Sequence, residues 1–172
     1  MPEWLPDLIP VDPWPHYMYE VLYKVFCKDI RDVAFRYLGH EVWFYRNKVD
    51  GKEDIFWHLT SRKPQKIQRR KRKFYPPGQE YDPEDRFPDP PRCARLRWVR
   101  PITENAHEQE VLTWDYLESD GEVHTYAWLK DDDFVVIFEK RENGTRRIIT
   151  SFYIDYDNKR TDLEEKYAKR IQ

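Results

Sequence analysis

Cysteine is nearly absent: the 172 residues include only Cys27 and Cys93, with 65 residues between them and no histidine nearby at metal-ligand spacing. A disulfide framework and a zinc site are both excluded, and two buried, reduced thiols are the expectation. Glycine is scarce as well, at five residues, which leaves no glycine-rich loop to cradle a phosphate through backbone N–H groups. Acidic clusters suited to a metal are missing, because the run Asp131, Asp132, Asp133 has the character of a turn. No apolar run reaches the roughly 18 residues that span a bilayer, and no charged-then-apolar leader opens the chain. The expected compartment is therefore the cytoplasm, no membrane association is expected, and no cofactor is implied.

What is present is a high aromatic content. Seven Trp, twelve Tyr and nine Phe make up 16% of the chain, and hydrophobic residues make up 40%. A chain of this length and composition forms one domain, residues 1–172, with a core that needs no staples. The net charge of −2 hides a strong asymmetry: eight basic residues and no acid fall between Arg62 and Lys73, and five acids with one base between Glu80 and Asp89. A solvated loop that neutralises itself accounts for this, and so does an arm that tracks nucleic-acid phosphates. Residues 63–91, rich in proline and charge, are expected to form a flexible insertion or nucleic-acid arm.

The pattern of elements predicts an α+β fold, with N-terminal helices packed on a four-stranded antiparallel sheet and a helix at the C-terminus. Residues 1–15 carry five prolines and read as an extended segment pinned by aromatics. Helical spacing of Tyr19, Leu22, Val25, Phe26 and Ile30 predicts a first helix over 17–32. Alternation around Val42 and Phe44, followed by the turn signal Asp50-Gly51, predicts strands or a hairpin over 33–46. A helix is expected over 54–62 with Asp54 at its start, and another over 92–104, broken or kinked at Pro101. Four strands, 111–117, 123–130, 134–140 and 147–154, are separated by Asp120-Gly121, the Asp131–Asp133 run and Asn143-Gly144. The third is apolar on both faces and should be central. The last helix is expected over 161–171, with acids at its start and bases at its end.

Three segments carry chemistry. They are Phe56-Trp57-His58-Leu59, the arginine segment from Arg92 through Arg95, Arg97, Trp98 and Arg100 to Pro101 and Ile102, and Thr150-Ser151-Phe152-Tyr153. Together these pieces resemble the phage and mobile-element members of the barnase/EndoU/colicin/RelE-like (BECR) nuclease family, over roughly residues 17–170. The resemblance implies metal-independent RNA cleavage by 2′-OH attack, often by a toxin or a phage or mobile-element conflict protein. It also implies RNA, either tRNA or mRNA, as substrate, and an antitoxin or immunity protein as partner.

The residues supply that chemistry without the family. Metal-free RNA cleavage needs a base for the 2′-OH proton, an acid for the leaving 5′ oxygen, and cations for the charge that gathers on phosphorus. His58 suits the proton transfer, since an unperturbed imidazole titrates at about 6.5. Four positions on, Arg62 would share its face if the helix continued that far. Arg95 and Arg97 are the expected phosphate stabilisers, because a guanidinium forks onto two oxygens and keeps its charge. Arg92 and Arg100, together with Lys63, Lys66, Arg69 and Arg70, are the expected RNA contacts. On a regular strand Thr150 and Tyr153 face opposite ways. Either Tyr153 follows a bulge or only one of the two meets substrate, and Thr150 is preferred.

Competing readings stand beside this one. His58, flanked by Trp57 and Leu59, also fits a core histidine bonded to a carbonyl. The arginines also fit a solvated helix face anchored by Trp98, and Thr150 an ordinary strand position. His124 and Thr125 read as structural, while His16, His40 and His107 lack a partner pattern. A two-histidine phosphoesterase needs two histidine-x-hydroxyl units; His58-Leu59-Thr60 is one, and His124-Thr125-Tyr126 has its hydroxyl at the wrong offset. A non-catalytic RNA-binding module, with the basic arm on phosphates and aromatic rings on bases, and a protein-interaction module remain as alternatives.

Overall fold

The computed structural model describes residues 1–63 and 86–172. The expected α+β class is present, with five α-helices among the described residues. Helix α1 (Met18–Phe26) buries Met18, Leu22 and Phe26, spaced four apart on one face, and runs on as a π-turn, Cys27–Arg31, that buries Ile30. Before it the chain forms neither helix nor strand and turns at residues 3–4 and 16–17. It is fixed by Trp98 Nε1 donating to the Pro6 carbonyl at 2.9 Å and by the Ile9 N–H on the Ala94 carbonyl at 2.9 Å.

Strands β1 (Arg36–Tyr37) and β2 (His40–Trp43) form a tight hairpin whose turn residues Leu38 and Gly39 both have positive φ. A second hairpin, β3 (Lys48–Val49) and β4 (Lys52–Glu53), turns at Asp50-Gly51, with φ of 51° and 79°. Positive φ at both central residues is what a two-residue hairpin turn demands, and glycine meets it without strain. Helix α2 (Asp54–Thr60) follows directly and stops because Ser61 is extended, φ −137° and ψ 166°. Ser61–Arg62 then forms β5, paired with β6 (Phe87–Pro88).

The helix expected over 92–104 is three pieces: α3 (Pro90–Ala94), a 3₁₀ turn at Leu96–Trp98, and α4 (Val99–Glu104). The break falls at Arg95, with φ −105° and ψ 13°, and not at Pro101. Pro101 occupies the third position of α4, where an N–H has no partner within the helix, so its missing donor costs nothing there. The start of α3 is set by Pro90 and Pro91, whose φ suits a first turn, and by Asp89, whose side chain accepts from the Arg92 N–H at 3.1 Å.

Four strands form the expected meander: β7 (Val111–Leu117), β8 (Val123–Leu129), β9 (Phe134–Lys140) and β10 (Arg146–Tyr153). The sheet is larger than four strands and is mixed, in the order β1-β2-β10-β9-β8-β7. Its addition comes from β2, which lies parallel to β10 with Val42 opposite Arg146 and Trp43 opposite Arg147. As expected, β9 is interior. Phe134, Val136 and Phe138 face the principal core with α1, α2 and α4, while Val135 and Ile137 face a second core under α5 (Asp157–Ala168). That helix begins four residues before the expected start. Its composition is almost wholly polar, with Leu163 its buried residue, and Tyr167 meets Trp114 edge-on at 5.5 Å between ring centres.

Cys93 is buried, but Cys27 is half-exposed, so only one thiol has the expected burial. Burial pushes the Cys93 thiol up to about 12, which keeps it protonated. No helix among the described residues is long and apolar enough to cross a membrane.

Phe56, wholly buried, meets Tyr19, Tyr23, Phe26 and Trp57 with ring centres 5.1–6.2 Å apart. Phe56→Ala is expected to cost about 3–5 kcal/mol in urea unfolding, because it empties the junction of α1 and α2. A loss under about 1 kcal/mol would remove this aromatic cluster from the core's principal contacts.

Candidate functional site

Helix α2 places its residues by burying one side. Phe56, Leu59 and Thr60 are buried, and Trp57 Nε1 donates to the Val49 carbonyl at 2.7 Å. His58 is left partly exposed on the other side, where its Nε2 lies 3.5 Å from Asp54 Oδ2 one turn earlier. Asp54 at the helix start is favoured by the helix dipole. The carbonyl of His58 lies in the last turn, where a helix cannot supply a donor of its own. Two residues far apart in the chain supply it: Arg92 Nη1 at 2.8 Å and Thr150 Oγ1 at 3.0 Å.

Arg92 is buried and committed to this junction. The same Nη1 donates to the Ser61 carbonyl at 2.9 Å and lies 3.4 Å from Thr150 Oγ1, while Nε faces Asp89 Oδ2 at 3.5 Å. A buried guanidinium is tolerable when a carboxylate and several carbonyls surround it. Cys93 Sγ adds a further bond, to the Thr60 carbonyl at 3.0 Å. Thr150 reaches His58 because β10 pairs with β2 only at Arg146 and Arg147; beyond them its edge faces α2 and α3. The β-bulge in β10 falls between Ile148 and Thr150, before Thr150 and not between Thr150 and Tyr153.

Arg86 is a site residue that the sequence reading missed. Its Nε donates to Ser61 Oγ at 2.8 Å and its Nη2 to the Ser61 carbonyl at 2.7 Å. The available signal was its place as the single base among the acids of 80–89. Burial lowers the His58 pKa below the ordinary 6.5, the positive charges of Arg86, Arg92 and Lys63 lower it further, and Asp54 opposes them. The imidazole is consequently held neutral and able to accept a proton.

The other candidates are arranged differently. Because α2 ends at Thr60, Arg62 does not share a helix face with His58; it lies in β5, 4.0 Å from Asp155 Oδ2. Arg95 and Tyr153 meet, with the guanidinium 4.0 Å from the ring centre, and Arg95 Nη1 donates to the Pro91 carbonyl at 2.9 Å. Arg97 is exposed on the 3₁₀ turn, and no hydrogen bond or ion pair among the described residues engages it. Arg100 lies 3.7 Å from Glu104. Lys63 closes the first described segment, whereas Lys66, Arg69 and Arg70 lie outside the described residues. His124 is in β8, 3.4 Å from Glu118, and the Thr125 hydroxyl bonds Asp115 at 2.6 Å. Among the described residues no group of three or more His, Cys, Asp or Glu side chains could hold a metal ion.

Comparison with known proteins identifies no relative: no family model, no curated protein and no solved structure matches the chain significantly.

Two outcomes follow from this geometry. Arg92→Ala removes one of the two donors from each of the His58 and Ser61 carbonyls, leaves half-buried Asp89 without its cation and empties the space of a buried side chain, and is expected to cost about 2 kcal/mol in denaturant unfolding. For His58 the folded pKa lies below the unfolded value, so the unfolded chain binds more protons between the two. Stability from this group is complete above 6.5 and declines as pH falls toward the folded pKa. An NMR titration should place the His58 midpoint below 6.5, and a midpoint above it would reverse this electrostatic assignment.

Proposed function

We propose that the chain is a metal-independent endoribonuclease that cleaves RNA by attack of the 2′-OH on the adjacent phosphorus. The observation that carries this reading is the convergence on one residue: His58, held through its carbonyl by Arg92 and Thr150, has a neutral, partly exposed imidazole among positive charges. In the reaction His58 takes the proton from the 2′-OH as that oxygen bonds to phosphorus. The bond from phosphorus to the 5′ oxygen then breaks, and the imidazolium returns the proton to the departing oxygen. Asp54, 3.5 Å from Nε2, favours the transient imidazolium.

Arg92 acts as a positioning residue, since its Nη1 is occupied by backbone carbonyls. Thr150, hydrogen-bonded to the same carbonyl, is proposed to hold His58 and to offer its hydroxyl to substrate. Arg86 and Lys63 place positive charge near the imidazole, and Arg62, Arg95 and Arg97 are the proposed phosphate contacts. Tyr153, beneath Arg95, fixes that guanidinium. Arg100, and Lys66, Arg69 and Arg70 from outside the described residues, are further proposed contacts to the RNA backbone. The reading carries the setting of the nuclease family that the chain resembles: a toxin or phage-conflict protein acting on tRNA or mRNA in the cytoplasm, neutralised by an antitoxin or immunity protein. Exposed rings at Tyr45 and Tyr156 favour, as a second reading, an RNA-binding module without catalysis.

Purified protein incubated with total RNA in EDTA separates these readings. Products ending in 2′,3′-cyclic phosphate and 5′-OH are expected, and His58→Ala should slow their formation by about 10²- to 10⁴-fold while RNA retention persists. Intact RNA that is nevertheless retained would replace the enzyme reading with the binding one, and cleavage unaffected by His58→Ala would remove His58 from it.

A further inference from the structure

Beside His58 lies a pocket of ≈ 120 Å³ whose walls include Tyr45, Asn47, Asp54 and Arg147, with Phe44 and Ile148 among its apolar residues. Phe44 and Ile148 are buried, yet the adjoining Tyr45 ring is 55% exposed, stands edge-on to Trp43 at 5.2 Å, and has the Arg147 guanidinium 5.1 Å from its centre. An exposed aromatic beside an apolar floor offers a flat ligand a stacking surface.

The polar rim is built rather than incidental. Arg147 is fixed by Glu139, which accepts from its Nε at 2.9 Å and from its Nη2, and which Arg141 also clasps. Glu139 is itself buried; burial pushes its carboxyl up, but the hydrogen bonds from Arg147 and Arg141 outweigh this and hold it below the usual range. The guanidinium is thus held against the ring before any ligand arrives. Asn47 contributes its backbone carbonyl to the Asp54 N–H at 2.9 Å, and no hydrogen bond among the described residues engages its side-chain amide. That amide has both donors and an acceptor free for a heterocycle edge.

We propose that this pocket takes one nucleobase of RNA, stacked on Tyr45 and read along its edge by Asn47, next to the phosphodiester handled by His58. A nucleobase matches the pocket in kind, with apolar faces for the ring and floor and a polar edge for the amide. Because His58 and Asp54 form part of its wall, the occupant lies one nucleotide from the reacting phosphorus. The polymer's identity and the reaction rest on the ribonuclease reading, whereas the capture of a base does not.

The test uses the whole chain and the variants Tyr45→Ala, Tyr45→Phe and Asn47→Ala, all at exposed positions. Binding of the four nucleoside 3′-monophosphates is measured by NMR, with inorganic phosphate as control. At least one nucleotide should outcompete inorganic phosphate, Tyr45→Ala should weaken it about tenfold or more, and Tyr45→Phe should retain it. On mixed-sequence RNA the wild-type chain should cut next to a preferred base, and Tyr45→Ala and Asn47→Ala should spread the cuts. Nucleotide binding equal in wild type and Tyr45→Ala, or no stronger than that of inorganic phosphate, overturns the base site even if RNA is cleaved. Tyr45-dependent nucleotide binding without RNA cleavage leaves the base site standing and overturns the ribonuclease reading alone.

Discussion

One carbonyl oxygen, that of His58, joins three stretches of chain that also share the principal core. It is a helix-end acceptor without a donor in its own helix, and Arg92 and Thr150 satisfy it from 34 and 92 residues away. Each bond contributes only about 1 kcal/mol net, and the cost of leaving a buried polar group unpaired is larger. Through it α2, α3 and β10 hold one another, and the backbone of His58 is fixed at the end of α2. The Asp89 cap belongs to the same construction, since it starts α3 and accompanies the guanidinium into the interior.

The sheet determines what surrounds that junction. Because β2 pairs with β10 for only two residues, the rest of that edge is open to the helices, and Thr150 can turn its hydroxyl to α2. The same pairing brings Trp43 beside Arg147, and with it Tyr45 and the pocket wall. Burial and nearby positive groups depress the His58 pKa, and Asp54 moderates the effect. An imidazole neutral at pH 7 with a carboxylate beside it is the state that proton abstraction requires.

Most of the elements were legible because they rest on local rules. Turn residues at Asp50-Gly51, Asp120-Gly121 and Asn143-Gly144 bracketed the strands, and the two-faced apolarity of 134–138 identified the interior strand. What escaped depends on distant partners. Alternation near Val42 signals a strand but not its pairing with Arg146, so the sheet was read as four antiparallel strands and is six and mixed. Pro101 looked like the helix break, yet the tolerance of a first turn for proline moved the break to Arg95. Arg62 looked like the helical neighbour of His58 until Ser61 ended the helix, which gave that place to Asp54. Arg86 was hidden by its acidic neighbours in sequence, although in space it belongs to Ser61 and His58.

The central claim is the proposal that the imidazole of His58, whose backbone is anchored by Arg92 and Thr150, faces an RNA phosphodiester. Its most direct measurement is the His58 ring resonance followed against pH, with and without a saturating 2′-O-methyl oligonucleotide, which binds but cannot be cut. A phosphodiester anion within reach stabilises the imidazolium, so the midpoint should move upward on binding. An unchanged midpoint at saturation, with shifts confined to residues away from α2, would contradict the account.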